Sequence, residues 1–386
     1  IALLSDTVGF MTLLSIDIGI IRELAITASL GVAMIILTNL ILLPMLVSYL
    51  TITPKDRKNT AGNIGEESTV WRFLASFATK GPAVVILIIT MALYALGLLN
   101  SQHLKIGELH AGAPALHESS RYNQDTFLIT NKYAISVDYM SVIIETTPDA
   151  CTYYDTMNTI DRFQWRMENV TGVQSAVSLA SISKVVNAGY NEGNPNWRVI
   201  PRNQQTLVQS IARIPSSSGL LNSDCSVMPV ILFLKDHKAE TIVRVIEEIK
   251  IASQELGSQD LQFKLASGPV GVMAATNEAV AEAQLPMMIY VYGAVIILCL
   301  LSFRSVRATI VVVLPLYVVS TLAQWLMTVL DIGLTVSTLP VIALGVGIGV
   351  DYGIYILSTM NTKLKAGSTV HDAYLAALKE RGSAVL

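Results

Sequence analysis

Asp351 stands in the middle of GVGIGVDYGIYIL, residues 345–357, a stretch with no other charge. At the centre of a hydrocarbon layer a carboxylate costs about 2.5–3.5 kcal/mol on insertion scales, and ionisable residues held there mark ion or proton pathways. The competing reading is structural, since a buried Asp can simply tie two helices together through a hydrogen bond. Around it, Gly345, Gly349 and Gly353 recur every fourth residue and form one smooth ridge, the small-xxx-small pattern of close helix contact. Asp351 lies about 200° around the helix from Gly349, on the face of Gly347 and Tyr355. A second face is therefore turned from lipid, and the helix is expected to be central among its neighbours. Tyr352 and Tyr355 can hydrogen-bond a buried carboxyl or pack. Asp6, in LLSDTVGF beside Thr7, is a second carboxylate in an apolar run; the alternative for it is an end-of-span residue reaching the interface. The GxGxG spacing matches a dinucleotide loop, but the strand, turn and downstream acid such a loop needs are missing.

Nothing else in the sequence has the spacing of a reactive centre. Cys151, Cys225 and Cys299 lack a CxxC pattern, so no metal or cofactor is expected. Cys299 falls in an apolar run and reads as a packed small side chain. Cys151 and Cys225 share one polar region and can pair if that region is oxidising. A net charge of −3 gives no reason to expect nucleic acid. With 52% hydrophobic but only 14% charged residues, the 386-residue chain is too apolar for an ordinary soluble protein. It begins on Ile1 and ends on an apolar SAVL, and reads as part of a longer polypeptide.

The elements that position Asp351 are set by length. A hydrocarbon core about 30 Å thick needs roughly 20 apolar helical residues. Residues 24–50, 82–99, 285–303, 308–330 and 338–360 qualify, and the opening IALLSDTVGFMTLLSI reads as a shortened span. Lys55, Arg57, Lys58, Arg72 and Lys80, then Arg304 and Arg307, then Lys363, Lys365, Lys379 and Arg381 flank the span ends that belong in the cytoplasm. Alternation places the long segment between residues 100 and 284 outside. There, YAISVDYMSVIIETT alternates as a strand, CTYYDTMNTIDRFQWRMENV has helical spacing and GVQSAVSLASI is again strand-like. SVMPVILFLKD, AETIVRVIEEIKIASQEL and LQFKLASG repeat the strand, helix, strand order, and a helix at 272–283 leads back. Two βαβ passes predict an extracytoplasmic α+β domain of ferredoxin-like type on a polytopic α-helical membrane protein. The Gly, Asn and Pro-rich NAGYNEGNPNWRVIPRNQQ between them reads as an exposed insertion.

The helix GVGIGVDYGIYIL, following two spans and an extracytoplasmic βαβ region, resembles the resistance-nodulation-division (RND) superfamily, in particular its MmpL-type exporters of lipids or hydrophobes. SDTVGFMTLLSIDIGIIRELAITASLGVAMIILTNLILLPML resembles that family's fifth and sixth membrane helices, and LKIGELHAGAPALHESSRYNQD resembles its entry into the second periplasmic domain. The resemblance implies membrane helices 5 and 6 of a first repeat over 1–53, a cytoplasmic linker over 54–81, and helix 7 over 82–101. It further implies a periplasmic porter domain over 102–283, helices 8 to 10 over 284–360, and a cytoplasmic segment over 361–386 leading to helix 11. Asp351 and Tyr352 match the family's Asp-Tyr proton-relay pair, and pseudo-symmetry brings Ser5, Asp6 and Thr7 within reach of Asp351; Asp6 departs from the Ser or Thr more usual there. The activity implied by the resemblance is transport without enzymatic chemistry: proton-motive-force-driven antiport exporting a hydrophobic, lipid-like molecule from a bacterial inner membrane. The partners are substrate, proton and membrane, with trimer against monomer undecided. The alternatives within the superfamily are a sterol-sensing, Patched-like lipid-binding protein and an accessory of protein translocation.

Overall fold

The computed structural model describes residues 2–49 and 69–385, so Lys55, Arg57 and Lys58 of the expected linker lie outside the described residues. Two compact units emerge, one formed by residues 1–106 with 279–386 and the other by residues 107–278.

The first unit is helical. It contains α1 (Ala2–Thr12), α2 (Gly19–Ser48), α3 (Thr69–Ser76) and α4 (Lys80–Ser101). The chain returns to it along α10 (Pro269–Phe303), whose residues before 279 belong to the second unit, and continues with α11 (Val306–Val329), α12 (Leu339–Lys365) and α13 (Val370–Val385). Among the described residues, α2, α4, α10, α11 and α12 are long and apolar enough to cross a membrane, which makes this a multi-pass membrane protein. Pro44 has no N–H to offer the carbonyl of Leu40, and the helix accommodates it with a π-turn over Thr38–Leu42. The expected helix 272–283 and span 285–303 are one continuous helix of 35 residues, with Pro286 inside it.

α12 is surrounded as its sequence requires. Pro340 sits in its first turn, where a missing N–H costs nothing. Val346, Val350 and Ile354, at the i, i+4 spacing of one helical ridge, are buried together with Val280, Met287, Val291, Val295 and Cys299 of α10 and with Leu13 and Ile16. α1 and α11 pack on other faces of α12, and α13 lies against its far end. By contrast α2 and α4 leave most of their Leu, Ile and Val side chains exposed, a surface suited to lipid or to another apolar protein surface.

The second unit holds α5 (Arg121–Lys132), β1 (Tyr139–Thr146), α6 (Tyr154–Glu168), β2 (Val173–Val177), α7 (Leu179–Tyr190), α8 (Gln204–Ile211), β3 (Val227–Leu234), α9 (Ala239–Leu256) and β4 (Leu261–Ser267). The strands form one antiparallel sheet in the order β2-β3-β1-β4, with Ile144 facing Met228 on one side and Phe263 on the other. Alternate residues Met140, Val142 and Ile144, and Met228, Val230, Leu232 and Leu234, are fully buried, as a half-covered sheet demands. Against them pack Met157, Ile160, Phe163 and Met167 of α6 and Ile242, Val245 and Ile249 of α9, each set on one helical face. Arg166 joins the two helices by bonding Glu248 at 2.7 Å and also Glu255.

The strand expected to run through GVQSAVSLASI stops at Val177. Ser178 caps α7, accepting from the backbone N–H of Ser181 while the Ser181 hydroxyl reaches back to the N–H of Ser178, so the chain turns helical there. The expected insertion is also more ordered than its composition implies, because Asn187, Ile200 and Pro201 are buried. Cys151 and Cys225 form a disulfide, 5.6 Å between Cα atoms, closing the segment that carries α6, β2, α7 and α8.

Candidate functional site

Asp351 is 7% exposed on a helix whose neighbouring residues are nearly all apolar. Its partner comes from the opposite end of the chain. The Ser5 hydroxyl, fully buried on α1, donates to Asp351 Oδ1 at 2.5 Å. Asp6, next along α1, brings its carboxyl within hydrogen-bonding reach of the same group. One reason α1 can come this close is Gly347: a Cβ there would lie 3.4 Å from Asp6 Oδ1, so any larger side chain would push into the carboxyl. The site is therefore two carboxyls and a hydroxyl between two apolar helices, with Ser5 and Asp351 buried and Asp6 half-buried. Two carboxyls set side by side in a water-poor site repel each other when both are charged.

Thr7 lies on the same helix, and its carbonyl accepts a 3.5 Å bond from Ser29 of α2, which fastens α1 to α2 beside the carboxyl pair. Tyr352 is placed differently. It is 40% exposed, one residue around the helix from Asp351, and Tyr355 is 41% exposed. Of the glycine ridge, Gly349 and Gly353 meet α11, where a Cβ would fall 2.6 Å from Leu316 and 3.0 Å from Val312; Gly345 has nothing within 4 Å. α12 thus carries two contact faces, glycines toward α11 and Gly347 with Asp351 toward α1.

A second feature of this unit had no signal in residue spacing. An apolar groove of about 590 Å³ runs between α10 and α11, from Leu285 and Met288 past Tyr292 and Tyr317 to Leu300 and Val306. Tyr292 hydroxyl bonds Ser320 at 2.8 Å and its ring meets Tyr317 edge-on at 5.9 Å, so the aromatic wall is fixed. Only the pairing of two helices creates such a groove.

A model described as the MMPL family matches residues 132–386. A membrane protein of Methanocaldococcus jannaschii is 23% identical over 196 residues, which is 50% of this chain and 50% of that protein. The cryo-EM structure of the hedgehog release protein Disp from the water bear Hypsibius dujardini shares the fold with a TM-score of 0.52 at 12% identity, over 98% of this chain and 51% of that one. The chain spans about half the length of each of these two proteins.

Proposed function

The chain belongs to the MMPL family, and on that premise we propose that it forms part of a proton-driven exporter of hydrophobic or amphiphilic, lipid-like molecules. The observation that carries this reading is the pairing of Asp351 with Ser5 and Asp6 between α1 and α12. With a proton shared, the two carboxyls hold the helices together. When it leaves, two negative charges face each other in a medium of low dielectric, and α1 and α12 move apart. The proton thus becomes a mechanical input, with Thr7 and Tyr352 as the neighbouring hydroxyls through which it enters or leaves. The groove between α10 and α11 suits an acyl chain or a sterol-like body, and Gly349 and Gly353 let α12 slide against α11 with little obstruction.

We assign the domain of residues 107–278 as the extracytoplasmic porter domain. Its interleaved strand, helix, strand passes support a ferredoxin-like assignment. The Cys151–Cys225 disulfide supports an oxidising compartment, and the Lys and Arg bias toward the other ends of the spans supports the extracytoplasmic side. The setting we assign is a bacterial inner membrane. The likeness to a hedgehog release protein favours a second reading in which the cargo is a protein.

The test is export of a fluorescent phospholipid analogue from vesicles under an imposed pH gradient, alongside thermal stability in detergent. Asp351→Asn keeps size and hydrogen bonding but cannot cycle a proton, so the variant is expected to fold and to lose gradient-dependent export. Near-normal export by a well-folded Asp351→Asn protein would leave Asp351 as a structural tie alone.

A further inference from the structure

The part of the second unit that the sequence marked as an exposed insertion is one wall of a pocket of about 640 Å³, within the range of sites that take organic ligands. α6 contributes Tyr154 and Asp161, and α7 contributes Lys184 and Asn187. The buried amide of Asn187 donates to the carbonyls of Trp197 at 2.8 Å and Val199 at 3.1 Å, which holds the 197–199 segment as a fixed wall. Ile200 and Pro201, both buried, anchor the chain immediately after it.

The charges in this pocket do not cancel. Lys184 is bonded to Asp161 at 2.5 Å, so one cation and the pocket's carboxylate are committed to each other. Arg198 and Arg202 remain. Arg202 lies over the Tyr154 ring, 5.6 Å from its centroid, and among the described residues neither guanidinium pairs with a carboxylate. Two guanidinium groups and two aromatic side chains line this one pocket, in a chain whose net charge is negative. A guanidinium bonds the oxygens of a phosphate in pairs, and two of them match the two negative charges of a phosphate monoester. A carboxylate would leave one guanidinium uncompensated. Trp197, 51% exposed, offers a flat face for the ligand's organic body.

We propose that this pocket binds an organic phosphate monoester, with Arg198 and Arg202 holding the phosphate and Trp197 and Tyr154 the body attached to it. The proposal stands apart from the proton reading, since it uses no residue of the membrane helices. The phosphate is carried either by a lipid headgroup or by a soluble sugar, and the experiment separates these sources. Calorimetric titrations of the full chain in a neutral maltoside detergent would use dodecyl phosphate, glucose 6-phosphate and inorganic phosphate. Saturable binding of one of the two organic phosphates is expected, stronger for dodecyl phosphate if the source is lipid and for glucose 6-phosphate if it is soluble. Losing one charge-assisted pair should weaken binding about tenfold or more in Arg198→Gln and in Arg202→Gln. Arg198→Lys should fall between, because it keeps the charge and loses the fork. Asp351→Asn should leave binding unchanged, so failure of the transport reading and of this one are distinguishable. Both arginines are exposed, and an unchanged melting temperature with an intact disulfide would certify each variant's fold. No saturable binding, binding indifferent to both Gln variants, or inorganic phosphate binding as tightly as the organic ones would overturn the proposal.

Discussion

Replacing Cys151 and Cys225 together by alanine removes a covalent closure without leaving a hydroxyl in the core, where the two residues are 2% and 9% exposed. The bridge spans a sequence separation of 74, and it joins the entry to α6 to the segment just before β3. In the chain-entropy account a loop of that length restricts the unfolded state by about 4 kcal/mol. For a unit the size of residues 107–278, each kcal/mol shifts the melting temperature by roughly 2–4 °C, so a fall of about 10 °C is expected. Differential scanning fluorimetry of the purified chain, with and without reductant, would measure it. The double variant should melt at the temperature of the reduced parent and respond no further to reductant. Cys299→Ala, whose thiol is buried elsewhere and unbonded, should leave the parent's response to reductant unaltered. A shift under about 2 °C in the double variant would refute the view that this closure stabilises the unit by restricting its unfolded chain.

Single contacts give further expectations. Gly349→Val should disturb the approach of α11 to α12 and cost about 1–3 kcal/mol, whereas Gly345→Ala should be close to neutral; melting curves in detergent compare them. His237 is buried, which works against its charge, but the hydrogen bond and charge of Asp138 at 2.9 Å, with Glu108 and Asp236 adding to it, raise its pKa above the ordinary 6.5. Its contribution is then fully present below the unfolded-state value and lost as pH rises through the folded one, so His237→Gln should narrow the difference in melting temperature between pH 5.5 and pH 8. A membrane-impermeant maleimide applied from outside should label Asn196→Cys and spare Lys365→Cys, since both positions are exposed to solvent and only the first belongs to the domain assigned outside. Labelling of Lys365→Cys under the same conditions would reverse the assigned orientation.

What could be read in advance was whatever depends on length or on short periods. Apolar runs gave the spans because a hydrocarbon layer sets a minimum length, and alternation in YMSVIIET and VMPVILFL gave β1 and β3 because a half-buried sheet has a period of two. Boundaries fared worse. The serine pair Ser178 and Ser181 converts a strand-like run into a helix through two local hydrogen bonds, and hydrophobic periodicity contains no trace of them. The helix Arg121–Lys132 was not anticipated at all, being polar with Asn123 and Thr126 as its buried residues. At the site, the spacing of Gly345, Gly349 and Gly353 defined a face but not how far a neighbour tracks along it, and α11 meets only two of the three. Ser5 could be placed near Asp351 only through family pseudo-symmetry, because the two lie 346 residues apart. Separation in sequence also hid the pocket of Arg198 and Arg202, whose walls come from α6, α7 and a segment that looked like plain loop.

On the proposed mechanism the Asp351 and Asp6 carboxyls hold a proton that comes and goes. Infrared difference spectroscopy of the protein in lipid, recorded while pH is stepped, sees a protonated carboxyl directly through its C=O stretch and needs no substrate. A carboxylic-acid band that rises as pH is lowered, vanishes in Asp351→Asn and shifts in Asp6→Asn is the expected result. A titrating band that survives Asp351→Asn unchanged, or no titrating band from a buried carboxyl at all, would contradict it.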